Sequence, residues 1–215
     1  MTSATLTRKG KADTFKSMVG AESIAEGIVN SPFDYESNLQ VRILSDCPEP
    51  MGQNREPYLN RLTEVVHACA SGMGGGTLVL FTNYADLRHC YHTLRPRWER
   101  LGRSLYAQGE GYSRSELRNR LVEEGDALLL GAESFWKGFD AKGACLSQVI
   151  ITRLPFENPG HPLLEAKTEL MREQGKSSFA EHFLPEPVYA QLSLVLANMA
   201  TELKSNAHFF VVCFQ

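Results

Sequence analysis

Short apolar runs alternate with helical patterns along most of this chain, and that alternation constrains the fold more than any other feature. "TLVLFT" (Thr77–Thr82), "SLYAQ" (Ser104–Gln108), "ALLLG" (Ala127–Gly131) and "LSQVIITRL" (Leu146–Leu154) each read as a strand. An apolar run without a polar alternate face belongs to a strand buried on both sides, the usual state in a parallel sheet. "YLNRLTEVVHACA" (Tyr58–Ala70) is helical, with Leu62, Val65, Val66 and Cys69 on one face. "YADLRHCYHTLRPRWERL" (Tyr84–Leu101) is a second helix, with Leu87, Tyr91, Leu94, Trp98 and Leu101 as its core stripe and Pro96 expected to kink or interrupt it. Ser113, with Glu116 three residues on, forms a capping box that opens a third helix ending near Glu124. Strands alternating with helices predict a mainly parallel sheet covered by helices on both faces, a three-layer α/β domain.

The ends extend the pattern. "NLQVRIL" (Asn38–Leu44) is expected to be an earlier strand, with the loop "CPEPMGQNREP" after it and "SGMGGG" (Ser71–Gly76) closing the first helix. "HPLLEAKTELMREQG" predicts a helix stopped by Gly175. "EPVYAQLSLVLANMATEL" predicts another, and "HFFVVCF" a last strand.

Several classes of function are disfavoured. The five cysteines are widely spaced with no C-x-x-C, which argues against a disulfide framework and against a cysteine-based metal centre. "HCYH" places His89 and His92 opposite the apolar stripe of their helix, so both are expected to be solvated and no metal site is expected. No apolar run approaches the roughly 20 residues of a membrane helix, and the first residues lack a signal-peptide core; a cytoplasmic location is the default expectation. The net charge of −3 means that any contact with nucleic acid is local or shared with another domain. No G-x-x-x-x-G-K-[ST], no D-E-A-H-like box and no G-x-S-x-G occurs, which disfavours a self-sufficient nucleotide hydrolase or a common serine hydrolase.

In a parallel α/β sheet, ligands lie outside the carboxyl ends of the strands. "ESFWKGFD", directly after "ALLLG", is therefore expected to be a strand-end loop that carries chemistry.

The remaining segments, in order, resemble one family. "TSATLT" (Thr2–Thr7) looks like motif III of superfamily 2 helicases, and "SPFDYESN" (Ser31–Asn38) like a segment that follows it in DinG/XPD-type helicases. "GGTLVLFTNYADL" resembles the motif IV region, "AQGEGYSR" the Q-G segment after it, and "GAESFWKGFDAKGACLSQVIITRLPFENPGHPL" motif V with its L-P-F continuation. "FLPEPV" resembles the lead-in to motif VI. Together they resemble a bacterial DinG-like DNA helicase, from motif III of the first RecA-like domain through most of the second.

The resemblance implies a RecA-like fold over 37–215, with 1–36 belonging to the first motor domain and Met18, Val19 and Ile24 left exposed. It implies an interdomain role for Thr2, Ser3 and Thr5, and an ATP-cleft role for Gly138 and Asp140 of motif V. Single-stranded DNA would cross the strand ends, which makes Thr82, Asn83, Tyr84, Gln108, Ser134, Phe135 and Trp136 the candidate nucleic-acid residues. Several have a plainer alternative. Thr82, Asn83 and Tyr84 either bond backbone phosphates or cap the next helix. Trp136 either stacks on a base or packs beneath its own loop.

One departure stands out. The family's motif VI helix reads roughly Q-x-x-G-R-x-I-R, and the matching positions here are Ser193, Leu196, Ala197 and Ala200. An apolar stripe of Val188, Leu192, Val195, Met199 and Leu203 survives on the same helix. The favoured account is a degenerate or truncated helicase remnant. The other is a slipped register with a distant arginine substituting, for which Arg153 and Arg172 are the nearest candidates although neither matches the motif. A transition-state arginine contributes roughly 10³–10⁵ in rate in related phosphoryl-transfer systems.

The expected function is the C-terminal domain of a DinG-like ATP-dependent helicase. It would use ATP and Mg only within a complete helicase, bind single-stranded DNA weakly alone, and pair with a partner chain carrying the first domain; no catalytic residue is assigned. The alternative is a non-catalytic protein-interaction module on the same fold. A small-molecule enzyme ranks last, because no acid–base pair can be named for it.

Overall fold

The computed structural model describes residues 11–29, 40–136, 145–156, 160 and 162–173. Among them, 40–155 form one compact unit, and 11–29 with 156, 160 and 162–173 belong to another. The expected boundary between 36 and 37 lies outside the described residues.

The larger unit is built on four strands: β1 (Gly76–Leu80), β2 (Leu105–Ala107), β3 (Leu128–Gly131) and β4 (Leu146–Ile151). They form one sheet in the order β2-β3-β1-β4, and every described pairing is parallel. β1 is central, with Val79 level with Leu130 on one side and Ile150 on the other. All five residues of β1 and all four of β3 are buried, as their unbroken apolar runs require.

Helices cover both faces. α2 (Arg55–Ser71) and α3 (Tyr84–Arg100) lie on one, where Tyr58, Leu62, Val66, Leu87, Leu94 and Trp98 close on Val79, Leu128, Leu130 and Ile150. The other face is covered by α4 (Arg114–Glu124), which buries Leu117 and Leu121. A Cβ at Gly76, on that face of β1, would stand 3.0 Å from Leu121 Cδ1. The expected three-layer α/β architecture is therefore present. The capping box forms as the sequence predicts: Ser113 Oγ accepts from Glu116 N, and a Glu116 carboxylate oxygen accepts from Ser113 N at 2.8 Å. Gly125 ends α4 at φ 71°, a left-handed position that suits glycine.

Four local expectations are corrected. Residues 41–44 form no strand: Val41 and Ile43 are exposed, and only Leu44 packs against the core. Propensity favoured extension there, but a strand also needs a neighbour to bond. α2 begins at Arg55, after a short 3₁₀ turn over Gly52–Asn54. Pro57 thus falls in its first turn, where no intrahelical N–H is required. α3 runs through Pro96 without interruption, with Leu94 and Trp98 fully buried on either side. Leu101, expected in the core, lies just past the end of α3 and is half-exposed.

In the other unit, α1 (Asp13–Met18) carries Asp13 in its first turn and Lys16 in its last, each at the favourable end of the helix dipole. Val19 and Ile24 are exposed, as expected, while the side chain of Met18 lies outside the described ones. α5 (Pro162–Glu173) is the predicted helix of this region; Gly175, its expected stop, lies outside the described residues. The last predicted helix and strand also lie outside them. No helix among the described residues is long and apolar enough to cross a membrane.

Candidate functional site

The carboxyl ends of all four strands meet at one edge of the sheet, and most of the singled-out residues lie there. β1 continues through Phe81, whose N–H donates to Gly131 O at 2.8 Å. Thr82 and Asn83 are half-buried beyond it, and Tyr84 is exposed. β2 ends at Gln108, whose N–H donates to Leu130 O at 2.9 Å. β3 ends at Ala132 and a 3₁₀ turn over Glu133–Phe135. β4 ends at Thr152, whose N–H and hydroxyl both donate to Leu80 O at 3.0 Å.

Gln108 joins three of these ends. Its Oε1 accepts from Ala132 N at 2.8 Å, while its Nε2 donates to Tyr84 Oη at 2.7 Å and to Ser134 Oγ at 3.0 Å. One side chain therefore brings Tyr84 and Ser134 together, though they lie far apart in sequence. The arrangement presents the hydroxyls of Thr82, Tyr84 and Ser134, which suit hydrogen bonding to phosphate or sugar oxygens.

Asn83 caps α3. Its Oδ1 accepts from Asp86 N at 2.8 Å, so the capping alternative is realised for this residue. Phe135 and Trp136 are buried, 1% and 4% exposed, and the Trp136 indole N–H donates to Phe81 O at 2.9 Å. Packing beneath the loop is thus the observed alternative, and neither ring offers a free face to a base. Gly131 makes room for this: a Cβ there would stand 2.6 Å from Phe135 Cγ. Gly138, Asp140, Thr2, Ser3 and Thr5 lie outside the described residues, as do the positions matching motif VI.

The structure adds a group that the sequence reading did not single out as a site. Asp86, only 1% exposed, accepts from Arg55 through Oδ1, and from Arg153 and Asn83 through Oδ2. Burial pushes its pKa up, but the bonds from Arg55, Asn83 and Arg153 prevail and hold it below the ordinary 3.8. Both guanidinium groups lie over the Tyr58 ring, at 5.8 and 5.3 Å from its centroid. Burial pushes the Tyr58 phenol up to about 12 against the opposing charge of Arg153, so it stays protonated at neutral pH. The spacing Asn83-x-x-Asp86 at a helix start was the available signal, since it matches a capping pattern.

No group of metal-ligating residues occurs among the described residues. His92 is exposed, but His89 is half-buried, and its Nε2 meets no partner among the described residues. Helical periodicity counts only the face turned to the sheet, and His89 is covered on another side. The thiols of Cys47 and Cys90 are pushed by burial up to about 11 and about 12, which leaves neither as a thiolate nucleophile at neutral pH.

A family model described as the helicase C-terminal domain matches residues 66–191, more than half of the chain. The chain belongs to the helicase C-terminal domain family. The 3'-5' exonuclease DinG of Bacillus subtilis is 33% identical over 87% of this chain. The ATP-dependent DNA helicase YoaA of Escherichia coli is also 33% identical over 87%. This helicase C-terminal domain spans only 20% and 28% of the length of those two relatives. In fold it is similar to an apo XPD structure (TM-score 0.59, 14% identity, 82% of this chain and 36% of that one). It is likewise similar to Xpd4 of S. tokodaii (TM-score 0.56, 13% identity, 83% and 34%). The chain is thus a C-terminal helicase domain of the DinG/XPD type with a RecA-like fold.

Proposed function

We propose that this domain carries single-stranded nucleic acid across the carboxyl edge of its sheet, as the second motor domain of an ATP-dependent DNA helicase. We further propose that these 215 residues do not hydrolyse ATP by themselves. The observation that carries the first part is the convergence of Thr82, Tyr84, Gln108 and Ser134 at one edge, where Gln108 bonds both Tyr84 and Ser134. Such groups position a phosphate backbone without reading its sequence. The buried Phe135 and Trp136 support that surface from beneath.

The second part rests on the sequence. No G-x-x-x-x-G-K-[ST] occurs in it, and Ser193, Leu196, Ala197 and Ala200 stand where the family places its motif VI polar groups and arginines. In this reading residues 1–36 belong with the first motor domain, whose P-loop would hold ATP and Mg against Gly138 and Asp140. That domain is supplied by a partner chain or by further sequence of the same protein. Thr2, Ser3 and Thr5 lie at the junction, and the whole acts in the cytoplasm.

The test is a fluorescence titration of labelled single-stranded DNA with the pure chain at low and moderate salt, with and without ATP. Salt-sensitive binding that ignores ATP is expected. Absence of binding at low salt would sink the nucleic-acid reading and favour a protein-docking module. Turnover of ATP by the pure chain would sink the second part.

A further inference from the structure

Two arginines share one buried carboxylate at the sheet edge. Arg55 opens α2, Arg153 lies two residues past the end of β4, and Asp86 stands in the first turn of α3. Each arginine donates to Asp86 through Nη2, and neither forms an ion pair with any other carboxylate among the described residues. Two positive charges on one negative charge leave an excess of one. The chain as a whole is negative, so this excess is local.

One arginine alone balances the charge of Asp86. The second adds charge at the edge where ligands of this fold class lie. The pair is also held in place. Tyr58 lies beneath both guanidinium groups, and Asn83 fixes Asp86 by its own bond. Yet the side chains keep 37% exposure for Arg55 and 25% for Arg153, while that of Asp86 keeps 1%. The carboxylate is hidden and the cations reach the surface. Arginine forks held in this way match phosphate oxygens in shape and charge.

We propose that Arg55 and Arg153, positioned by Asp86, form a phosphate-binding pair that grips the backbone of a single strand beside the Gln108 surface. This rests on the nucleic-acid reading above and adds two charged contacts to the hydroxyls of that surface.

Two measurements on the 215-residue chain test it. In the first, the Arg153 Nε–H resonance is followed by NMR while inorganic phosphate or an oligothymidylate is added. That N–H is buried, which slows its exchange with solvent and makes it observable. It is expected to move with either addition. In the second, the salt dependence of oligonucleotide binding is compared for wild type, Arg55→Gln, Arg153→Gln and Arg97→Gln. Arg97 lies in the last turn of α3, towards the opposite edge of the sheet, paired with Glu64 at 2.7 Å. The slope of log K against log salt should shrink by about 0.7 in each of the first two variants and stay unchanged in the third. Arg55→Lys and Arg153→Lys should restore it, because they keep the charge.

Oligonucleotide binding with unchanged slopes in both glutamine variants would overturn the proposal and leave the nucleic-acid reading standing. Movement of the resonance by phosphate without any oligonucleotide binding would keep the phosphate pair, assign it to free phosphate or a nucleotide, and remove that reading. A resonance that moves with neither addition overturns the proposal.

Discussion

Gln108 Oε1 accepts the backbone N–H of Ala132 at 2.8 Å, and this bond ties the end of β2 to the loop that follows β3. Gln108→Ala removes it, along with the bonds to Tyr84 and Ser134. The Ala132 N–H would be left buried without its partner, at a cost of about 1–3 kcal/mol. Urea denaturation should show that loss. Gln108→Glu keeps an acceptor for the Ala132 N–H, and its other carboxylate oxygen takes hydrogen bonds from the Tyr84 and Ser134 hydroxyls, so it should retain most of the stability that Gln108→Ala loses.

Asp86 gives the fold a pH dependence whose sign follows from its depressed pKa. The unfolded chain takes up a proton near 3.8, while the folded chain resists until a lower pH. The contribution of Asp86 is therefore complete above the unfolded value and is lost as pH falls through the folded one. Asp86→Asn should cost on the order of 3 kcal/mol at neutral pH, the low end for a broken buried pair, because Arg55 and Arg153 reach solvent. Denaturation of both proteins as a function of pH should show a constant gap above about pH 5 that narrows in strong acid.

Trp136 donates its indole N–H to Phe81 O and is 4% exposed, so it should not report base stacking. In a Trp98→Phe background, Trp136 is the only tryptophan. Its emission should be blue-shifted and unchanged when single-stranded DNA binds. Quenching on binding would show that the loop opens and presents the ring.

Gly131 lies against the root of the Phe135 side chain, with 2.6 Å from a built Cβ to Phe135 Cγ. Gly131→Ala should force the 3₁₀ turn outwards and destabilise the domain by about 1–3 kcal/mol, the usual range for overpacking. The accompanying sign is a red shift of tryptophan emission, as Trp136 loses its cover.

Sequence alone determined the layered fold. The unbroken apolar runs of β1 and β3, the stripe Leu87–Leu94–Trp98 and the Ser113–Glu116 box are local patterns whose meaning does not depend on distant partners. Sequence also put the candidate residues Thr82, Tyr84, Gln108 and Ser134 at the strand ends, the edge where ligands of parallel α/β sheets lie. Tertiary structure decided everything that needs two distant segments to meet. Val41 and Ile43 have the residues of a strand but form none, because pairing is a property of two segments. Trp136 packs inwards, because Phe81 O, 55 residues away in sequence, accepts its N–H. The triad of Asp86, Arg55 and Arg153 spans separations of 31 and 67 residues. No periodicity within one element encodes such a meeting, because the bonds that create it form only after α2, α3 and β4 have packed.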